Sequence, residues 1–214
     1  MLEPDATDAA VRHERLALCD HLEGLDDAAW ATQSLCSAWT VRDVVAHLTV
    51  TTRATVPFVV KAALRARGGF DRMAVQVAED RSTRFGPTEL VAQLRESAAS
   101  SRRMPGSGPM DPLMDLVVHA QDISRPLGRL HHSPAEVVVA SLAYIATNRF
   151  LGGPARIAGL ALTATDAGWT SGDGPEVRGA AEDLLLVVGG RPAGLAGLTG
   201  PGVQVLAGRL SAAG

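Results

Sequence analysis

Helix-spaced apolar residues recur in one segment after another, and proline or glycine separates most of these segments. In the first segment, Val11, Leu18 and Leu22 follow at intervals of seven and four, which is the spacing of one helical face. We expect Asp5 or Thr7 to cap this helix. The same period is found in later segments that begin near residues 41, 88, 112 and 135. The pattern therefore predicts a mainly helical protein.

The composition fits closely packed helices. Apolar residues make up 46% of the 214 positions and charged residues 20%, as in ordinary globular proteins. Aromatic residues make up only 4%, so aliphatic side chains and alanine must fill the core. Small side chains let neighbouring helices approach each other closely.

The best-marked helix start is at Thr40. Thr40 and Asp43 form a capping-box pattern, with Asp in the place of the usual Glu. The helix that follows carries His47 and is expected to extend to about Arg67. It should kink or break at Pro57, because proline lacks the backbone N–H that a helix interior needs.

A second chemically interesting helix begins at Asp111 and Pro112. Its apolar positions follow a helical period. Asp115 and His119 are four positions apart, so they lie on one face, one turn from each other.

The character of the sequence changes after residue 152. The segment 156–172 alternates small and apolar residues and closes in a turn, which favours a strand or hairpin. Two short helices are expected after it, before and after the glycine pair at 189–190. We therefore predict a helical bundle over residues 1–152 and a small α+β domain over residues 153–214.

Charge and cysteine content exclude several classes of protein. The net charge is −3 and the basic residues are not concentrated, which argues against nucleic-acid binding. The apolar runs are too short for a membrane span. The two cysteines, Cys19 and Cys36, lie in different predicted elements, and no secretory leader precedes them. The expected location is a reducing cytoplasm.

Spacing alone suggests a metal site. A D-x3-H pair on one helix, here Asp115 and His119, converges on one point, and His47 from a packed neighbour can supply a third ligand. Three protein ligands leave one position open for a water or a thiol. The alternative is structural: an acidic residue near a helix start is favoured by the helix dipole, and an imidazole in an apolar helix is usually packed and hydrogen-bonded.

Two segments resemble the signatures of the mycothiol-dependent maleylpyruvate isomerase family, within the DinB-like metal-binding bundles. The first is LCSAWTVRDVVAHL, with Trp39, Asp43 and His47, and the second is DLVVHAQDISRPLG, with Asp115 and His119. The segment 161–191 resembles the C-terminal extension of these proteins, so the likeness covers nearly the whole chain.

The resemblance implies a DinB-like four-helix bundle with a C-terminal extension and one divalent metal. The metal would be Zn²⁺, with Ni²⁺ as the alternative, bound by His47 from the second helix and by Asp115 and His119 from the third main helix. These residues would be catalytic through a metal-bound thiolate of mycothiol. Characterised members have Glu where this chain has Asp115.

A dicarboxylate substrate would need arginines, which bind carboxylates with two parallel hydrogen bonds. Arg191 resembles a GR motif of the family and is the first candidate for substrate binding, with Arg84 as the second. A structural role for Arg191, close to a helix C-terminus, is the alternative. Trp39 is expected to pack at the start of its helix, with a pocket wall as the alternative, and Asp122 is assigned to a structural pair with Arg125.

The resulting hypothesis is a metal-dependent, mycothiol-using enzyme that carries out cis–trans isomerisation or thiol S-transfer. The alternative is a non-catalytic metal-binding module in stress response or regulation. The partners would be a small-molecule substrate and a low-molecular-weight thiol, with no nucleic acid and no membrane, in a monomer or a homodimer. Mycothiol implies an actinobacterial host, and this agrees with the presence of Lys61 as the only lysine.

Overall fold

The computed structural model describes residues 3–212 and forms two compact units, Glu3–His131 and the part from His132 onward. Among these residues, no helix is both long and apolar enough to cross a membrane. Most of the structure is helical, and a small sheet lies in the C-terminal unit, so the predicted fold class is confirmed.

Four helices of the N-terminal unit pack around one another. Helices α1 and α3 each contact both α6 and α7, and α5 packs against α3 and α4. The helices are α1 (Pro4–Leu22), α2 (Asp27–Trp30), α3 (Val41–Leu48), α4 (Val56–Arg65), α5 (Phe70–Arg84), α6 (Pro87–Glu96) and α7 (Asp111–Ser124). Fully buried leucines from α1, α6 and α7 fill the space between them, including Leu18, Leu90, Leu94 and Leu113.

The predicted helix from Thr40 to Arg67 is interrupted rather than kinked. α3 ends at Leu48, and α4 begins at Val56 with Pro57 in its first turn. Proline is tolerated there because the first N–H groups of a helix have no intrahelical partner. The expected cap of α1 by Asp5 or Thr7 is wrong: the helix starts at Pro4, and no side chain caps it.

α7 is buried on every side. From Pro112 to Ser124, Asp115 is the one residue that retains partial exposure. The sequence pattern predicts a single buried face, whereas neighbours surround this helix completely. Asp115 is partly exposed, so its position marks the place where solvent reaches this helix.

The C-terminal unit combines helices with a three-stranded sheet. The elements are α8 (Ala135–Thr147), α9 (Gly153–Ile157), β1 (Ala161–Ala164), β2 (Thr170–Ser171), β3 (Glu176–Gly179), α10 (Ala181–Val188), a 3-10 helix (Pro192–Gly197) and α11 (Val203–Ala212). The strand order is β2-β1-β3, with β1 antiparallel to β2 and parallel to β3. The hairpin predicted after residue 152 is therefore confirmed.

The chain divides into its two compact units between His131 and His132. α8, which the sequence analysis placed in the bundle, packs against α10. Gly153 permits a close approach within this unit, because a Cβ there would lie 1.9 Å from the carbonyl oxygen of Ile145. The predicted division into residues 1–152 and 153–214 stays a prediction about domains.

Candidate metal centre

His47 is placed by a short, firmly capped helix. Thr40 accepts a hydrogen bond from the Asp43 N–H through its hydroxyl, and the Asp43 carboxylate accepts one from the Thr40 N–H, so the predicted capping box is confirmed. The Asp43 carboxylate also accepts a hydrogen bond from Ser82, which ties α3 to α5. His47 lies in the last turn of α3 and projects from a helix whose start is fixed.

Asp115 and His119 occupy successive turns of α7, as their spacing predicts. His119 is almost completely buried, with 8% of its side chain exposed, whereas Asp115 retains 25%. α7 contacts α3 within the same unit, and this contact brings His47 to the pair.

The three side chains form one cluster. The Nε2 atom of His47 lies 3.5 Å from Oδ1 and 3.4 Å from Oδ2 of Asp115. The Nε2 atom of His119 lies 3.3 Å from Oδ1 of the same carboxylate. One nitrogen or oxygen atom from each residue thus falls within 4.8 Å of the other two.

The cluster is electrostatically coupled. Burial acts to raise the pKa of Asp115, but the positive charges that His47 and His119 can carry outweigh it and hold this pKa well below its usual range. Burial acts to lower the pKa of His119, but Asp115, with help from Asp122 and Cys36, raises it well above the ordinary value. The metal-free cluster therefore favours a carboxylate beside a protonated imidazole. A bound cation would take the place of the imidazole proton as the positive charge next to Asp115.

A second carboxylate lies behind His119. The Nδ1 atom of His119 is 2.8 Å from Oδ2 of Asp122, a fully buried side chain one turn further along α7. The thiol of Cys36 donates to the same oxygen at 3.2 Å. Metal-binding histidines usually donate their second ring N–H to a carboxylate in this way, because this bond fixes the ring and its tautomer.

The role of Asp122 was missed by the sequence analysis, which assigned this residue to a structural pair with Arg125. A signal was available: Asp122 follows His119 by three positions, and this spacing places the two side chains on one face of a helix.

Trp39 is the aromatic neighbour of this cluster. It is 7% exposed, and its ring centroid lies 4.8 Å from that of His47 and 5.8 Å from that of His119. Its burial agrees with the packing expected from the sequence, and its ring contacts join it to both imidazoles, whereas a role as a pocket wall stays a prediction.

The donors fit a small divalent cation. Two imidazole nitrogens and a carboxylate oxygen form a known ligand set of zinc sites that keep an open position. Ligands about 2.0–2.2 Å from a tetrahedral zinc ion lie about 3.3–3.6 Å from one another. The separations of the Asp115 oxygens from both imidazoles match this spacing without rearrangement.

The two predicted substrate-binding arginines lie at the end of α5 and in the C-terminal unit. Arg84 is exposed at the end of α5, with its guanidinium 5.1 Å from the ring centroid of Phe85. Arg191 lies in the C-terminal unit, where its Nη1 donates to the carbonyl oxygen of Gly189 at 2.7 Å. Binding of a substrate by either residue stays a prediction.

A helical bundle with a His-Asp-His cluster between two of its helices defines a class of candidate metalloproteins, and the comparisons with known proteins agree with this class. Residues 11–112 match the family described as the mycothiol maleylpyruvate isomerase N-terminal domain. This match covers just under half of the chain, and the resemblance identified in the sequence is confirmed. His47 lies inside the matched range, and Asp115 and His119 lie just beyond its end.

Solved structures match a larger part of the chain than the family does. Two crystal structures of the mycothiol-dependent maleylpyruvate isomerase, one of them a point mutant, each match with a TM-score of 0.63 and 18% sequence identity. Each match covers 94% of this chain and 93% of the other. At this identity the likeness establishes the fold. No curated protein matches the chain.

Proposed function

We propose that the chain is a metal-dependent, mycothiol-using enzyme that resembles maleylpyruvate isomerase and carries out cis–trans isomerisation or thiol S-transfer. The observation that carries this proposal is the cluster of His47, Asp115 and His119, because its donor atoms lie within 4.8 Å of one another and the Asp115 oxygens have the spacing of zinc ligands from both imidazoles. The domain family of residues 11–112 and the fold of the isomerase support the choice of thiol and reaction.

Each residue of the cluster has a distinct task. His47 and His119 would bind the metal through Nε2, and Asp115 would bind it through a carboxylate oxygen while offsetting part of its charge. Asp122 would keep a proton on Nδ1 of His119, so that Nε2 presents its lone pair. A bound zinc ion would supply an acidic centre that lowers the pKa of a thiol.

The isomerisation itself needs no further reactant. The sulfur of the thiol forms a bond to one carbon of the cis double bond. The π electron pair of the double bond moves to the substrate carbonyl. The remaining single bond rotates, and the return of the electron pair expels the thiol and leaves the trans double bond. The thiol is regenerated, so the protein has to hold it, orient the substrate and exclude water.

Metal content is the first measurement. The protein is purified without chelators or a polyhistidine tag, and its metal is quantified beside that of a His47→Ala, His119→Ala double variant. We expect about one zinc or nickel ion per chain in the parent and loss of it in the variant. The matched control is His132→Ala, because that side chain is 73% exposed. Metal that stays in the double variant would overturn the proposed site.

Turnover is the second measurement. Zinc-loaded protein is mixed with maleylpyruvate, with and without mycothiol, and the conversion to the trans isomer is followed by ultraviolet absorbance. We expect conversion only when both metal and thiol are present. Stoichiometric metal without any thiol-dependent turnover or transfer would contradict the enzymatic proposal and favour a metal-binding module.

A further inference from the structure

Trp39 is held rigidly before α3 begins. Its carbonyl oxygen accepts hydrogen bonds from the Ser34 N–H at 3.0 Å, from the Ser34 hydroxyl at 2.7 Å and from the Gln33 side-chain amide at 2.7 Å. Its own N–H donates to the Cys36 carbonyl oxygen at 2.9 Å. The main chain of Trp39 is therefore fixed by four hydrogen bonds.

The indole ring lies against both imidazoles of the candidate metal centre. It is tilted by 30° to the ring of His47 and by 54° to the ring of His119. The two histidines are supported differently on their other sides. Asp122 holds Nδ1 of His119, whereas among residues 3–212 no hydrogen bond to Nδ1 of His47 is found. The indole face thus restrains the His47 ring together with Asp115 and His119.

The indole N–H of Trp39 has no hydrogen-bond partner in the described structure, although the side chain is more than nine-tenths buried. A buried donor that makes no hydrogen bond is costly, and such groups in native proteins call for an explanation. Packing alone does not require this donor, because phenylalanine would present a similar apolar face without it. An indole N–H can only donate, so the missing partner must be an acceptor.

We propose that Trp39 is a ligand-binding residue of this site, whose indole N–H donates a hydrogen bond to the sulfur of the low-molecular-weight thiol when that thiol occupies the open position beside His47 and His119. The inference rests on the proposed function, because it needs a cation in the cluster. A thiolate sulfur is an anionic acceptor, and a donor from a desolvated wall would favour it over neutral water. Trp39 would thereby bind the thiol as well as support the His47 ring.

The decisive variant is Trp39→Phe, which removes the N–H and keeps an aromatic face. Zinc affinity is measured by competition with a chromophoric chelator, and thiol affinity is measured by calorimetric titration of the zinc-loaded protein with N-acetylcysteine. A hydrogen bond to a charged group contributes enough that we expect thiol affinity to fall by about 10-fold or more, with zinc affinity within about threefold of the parent. The matched control is Trp169→Phe, at a half-buried residue between β1 and β2, which should change neither value.

Two results would overturn the inference. Unchanged thiol affinity would show that the N–H has no role in binding, and an equal loss of zinc affinity would show that Trp39 acts only by packing the metal ligands. Failure of the parent protein to bind zinc is a separate outcome, because it would overturn the proposed function first and this inference with it.

A second measurement avoids the substitution of Trp39. The chain has three tryptophans, so ¹⁵N-tryptophan labelling gives three indole N–H signals, and Trp30→Phe and Trp169→Phe identify the other two. We expect N-acetylcysteine to shift the Trp39 signal downfield in zinc-loaded protein and to leave it unchanged after zinc is removed. A Trp39 signal that does not move with the thiol would overturn the inference.

Discussion

Nδ1 of His119 lies 2.8 Å from Oδ2 of Asp122, on the opposite side of the imidazole from the Nε2 atom that faces Asp115. One histidine ring thus bridges two carboxylates, one partly open to solvent and one fully buried. The buried carboxylate fixes the ring, and the open one shares its other nitrogen with the candidate metal position. Asp122 therefore fixes the orientation of the His119 ring, so that Nε2 faces the candidate metal position.

The first prediction concerns Asp122→Asn. The amide oxygen can still accept from Nδ1 but carries no charge, so the ring is held less firmly and Nε2 becomes a weaker ligand. We expect zinc affinity to fall by about 10- to 100-fold, the usual effect of losing such a partner. Competition with a chromophoric chelator measures it.

Asp80→Asn is the matched control, because Asp80 is an exposed residue on α5 that pairs with Arg65. Its zinc affinity should equal that of the parent. Equal affinities in all three proteins would show that Asp122 does not support the metal ligand.

The second prediction concerns the stability of the metal-free protein. The pKa of His119 is raised in the folded state, so this group adds stability that is fully present below its unfolded pKa of about 6.5 and is lost as pH rises through the folded value. Asp115 has a depressed pKa, so its contribution is already complete above about pH 5. The stability that the pair adds should therefore decline as pH rises from neutral.

Urea unfolding with a chelator present, between about pH 6 and 9, tests this decline. His21 acts in the opposite direction, since burial lowers its pKa, so the parent is compared with Asp115→Asn, which retains His21. The difference in unfolding free energy between the two proteins should shrink as pH rises. A difference that grows with pH would contradict the predicted coupling. Zinc should reverse the trend in the parent, because metal competes with protons for the histidines.

The third prediction concerns the two thiols. Cys19 is fully buried on α1, and burial raises its pKa to about 11, so it should not react while the protein is folded. Cys36 is only half-buried, and its thiol donates to Asp122. Titration with a chromogenic disulfide should count one thiol in the native protein and two after unfolding.

Cys36→Ser identifies the reactive residue, because this variant should show no reactive thiol when folded. Reaction at Cys36 should be faster in Asp122→Asn, since the hydrogen bond that holds the thiol against Asp122 loses its charged acceptor. Modification of Cys19 in the folded protein would show that α1 and α6 separate more easily than the packing implies.

The local signals in the sequence were sufficient to place most helix starts. Thr40 and Asp43 predict the start of α3, and Asp111 with Pro112 predicts that of α7, because caps and prolines act on residues within one turn. His47, Asp115 and His119 were predicted as one cluster, since α3 and α7 are the two helices that carry the family signatures.

The features that the sequence did not predict depend on contacts between distant residues. The association of α8 with α10 and the contact of Trp39 with both imidazoles join segments that no spacing rule connects. Asp122 is different, because its spacing from His119 was readable. A carboxylate three positions before an arginine favours a structural pairing, and only the structure shows the hydrogen bond to the imidazole.

The fourth prediction concerns the cap that positions His47. Thr40→Ala removes the hydroxyl that accepts from the Asp43 N–H, so the free energy of unfolding should fall by about 1 kcal/mol. α3 has only eight residues, and fraying at its start should also weaken zinc binding. Thr40→Ser restores the hydroxyl and should recover both values. Urea unfolding and chelator competition measure them, and a stable Thr40→Ala protein with parental zinc affinity would contradict the role of the cap.

The fifth prediction concerns the length of the ligand arm in Asp115→Glu. The Asp115 oxygens already lie 3.3–3.5 Å from both Nε2 atoms, which matches the separation of ligands around a tetrahedral zinc ion. An added methylene would push the carboxylate toward His47 or toward solvent, in a helix that neighbours surround on all other sides. The longer arm also loses more side-chain entropy when it is held in one position, so we expect zinc affinity to fall by about 10-fold. Asp71→Glu, an exposed change on α5, should leave it unchanged. Parental or tighter zinc binding by Asp115→Glu would show that the separation between α3 and α7 is set by the metal, and not by the shorter arm of Asp115.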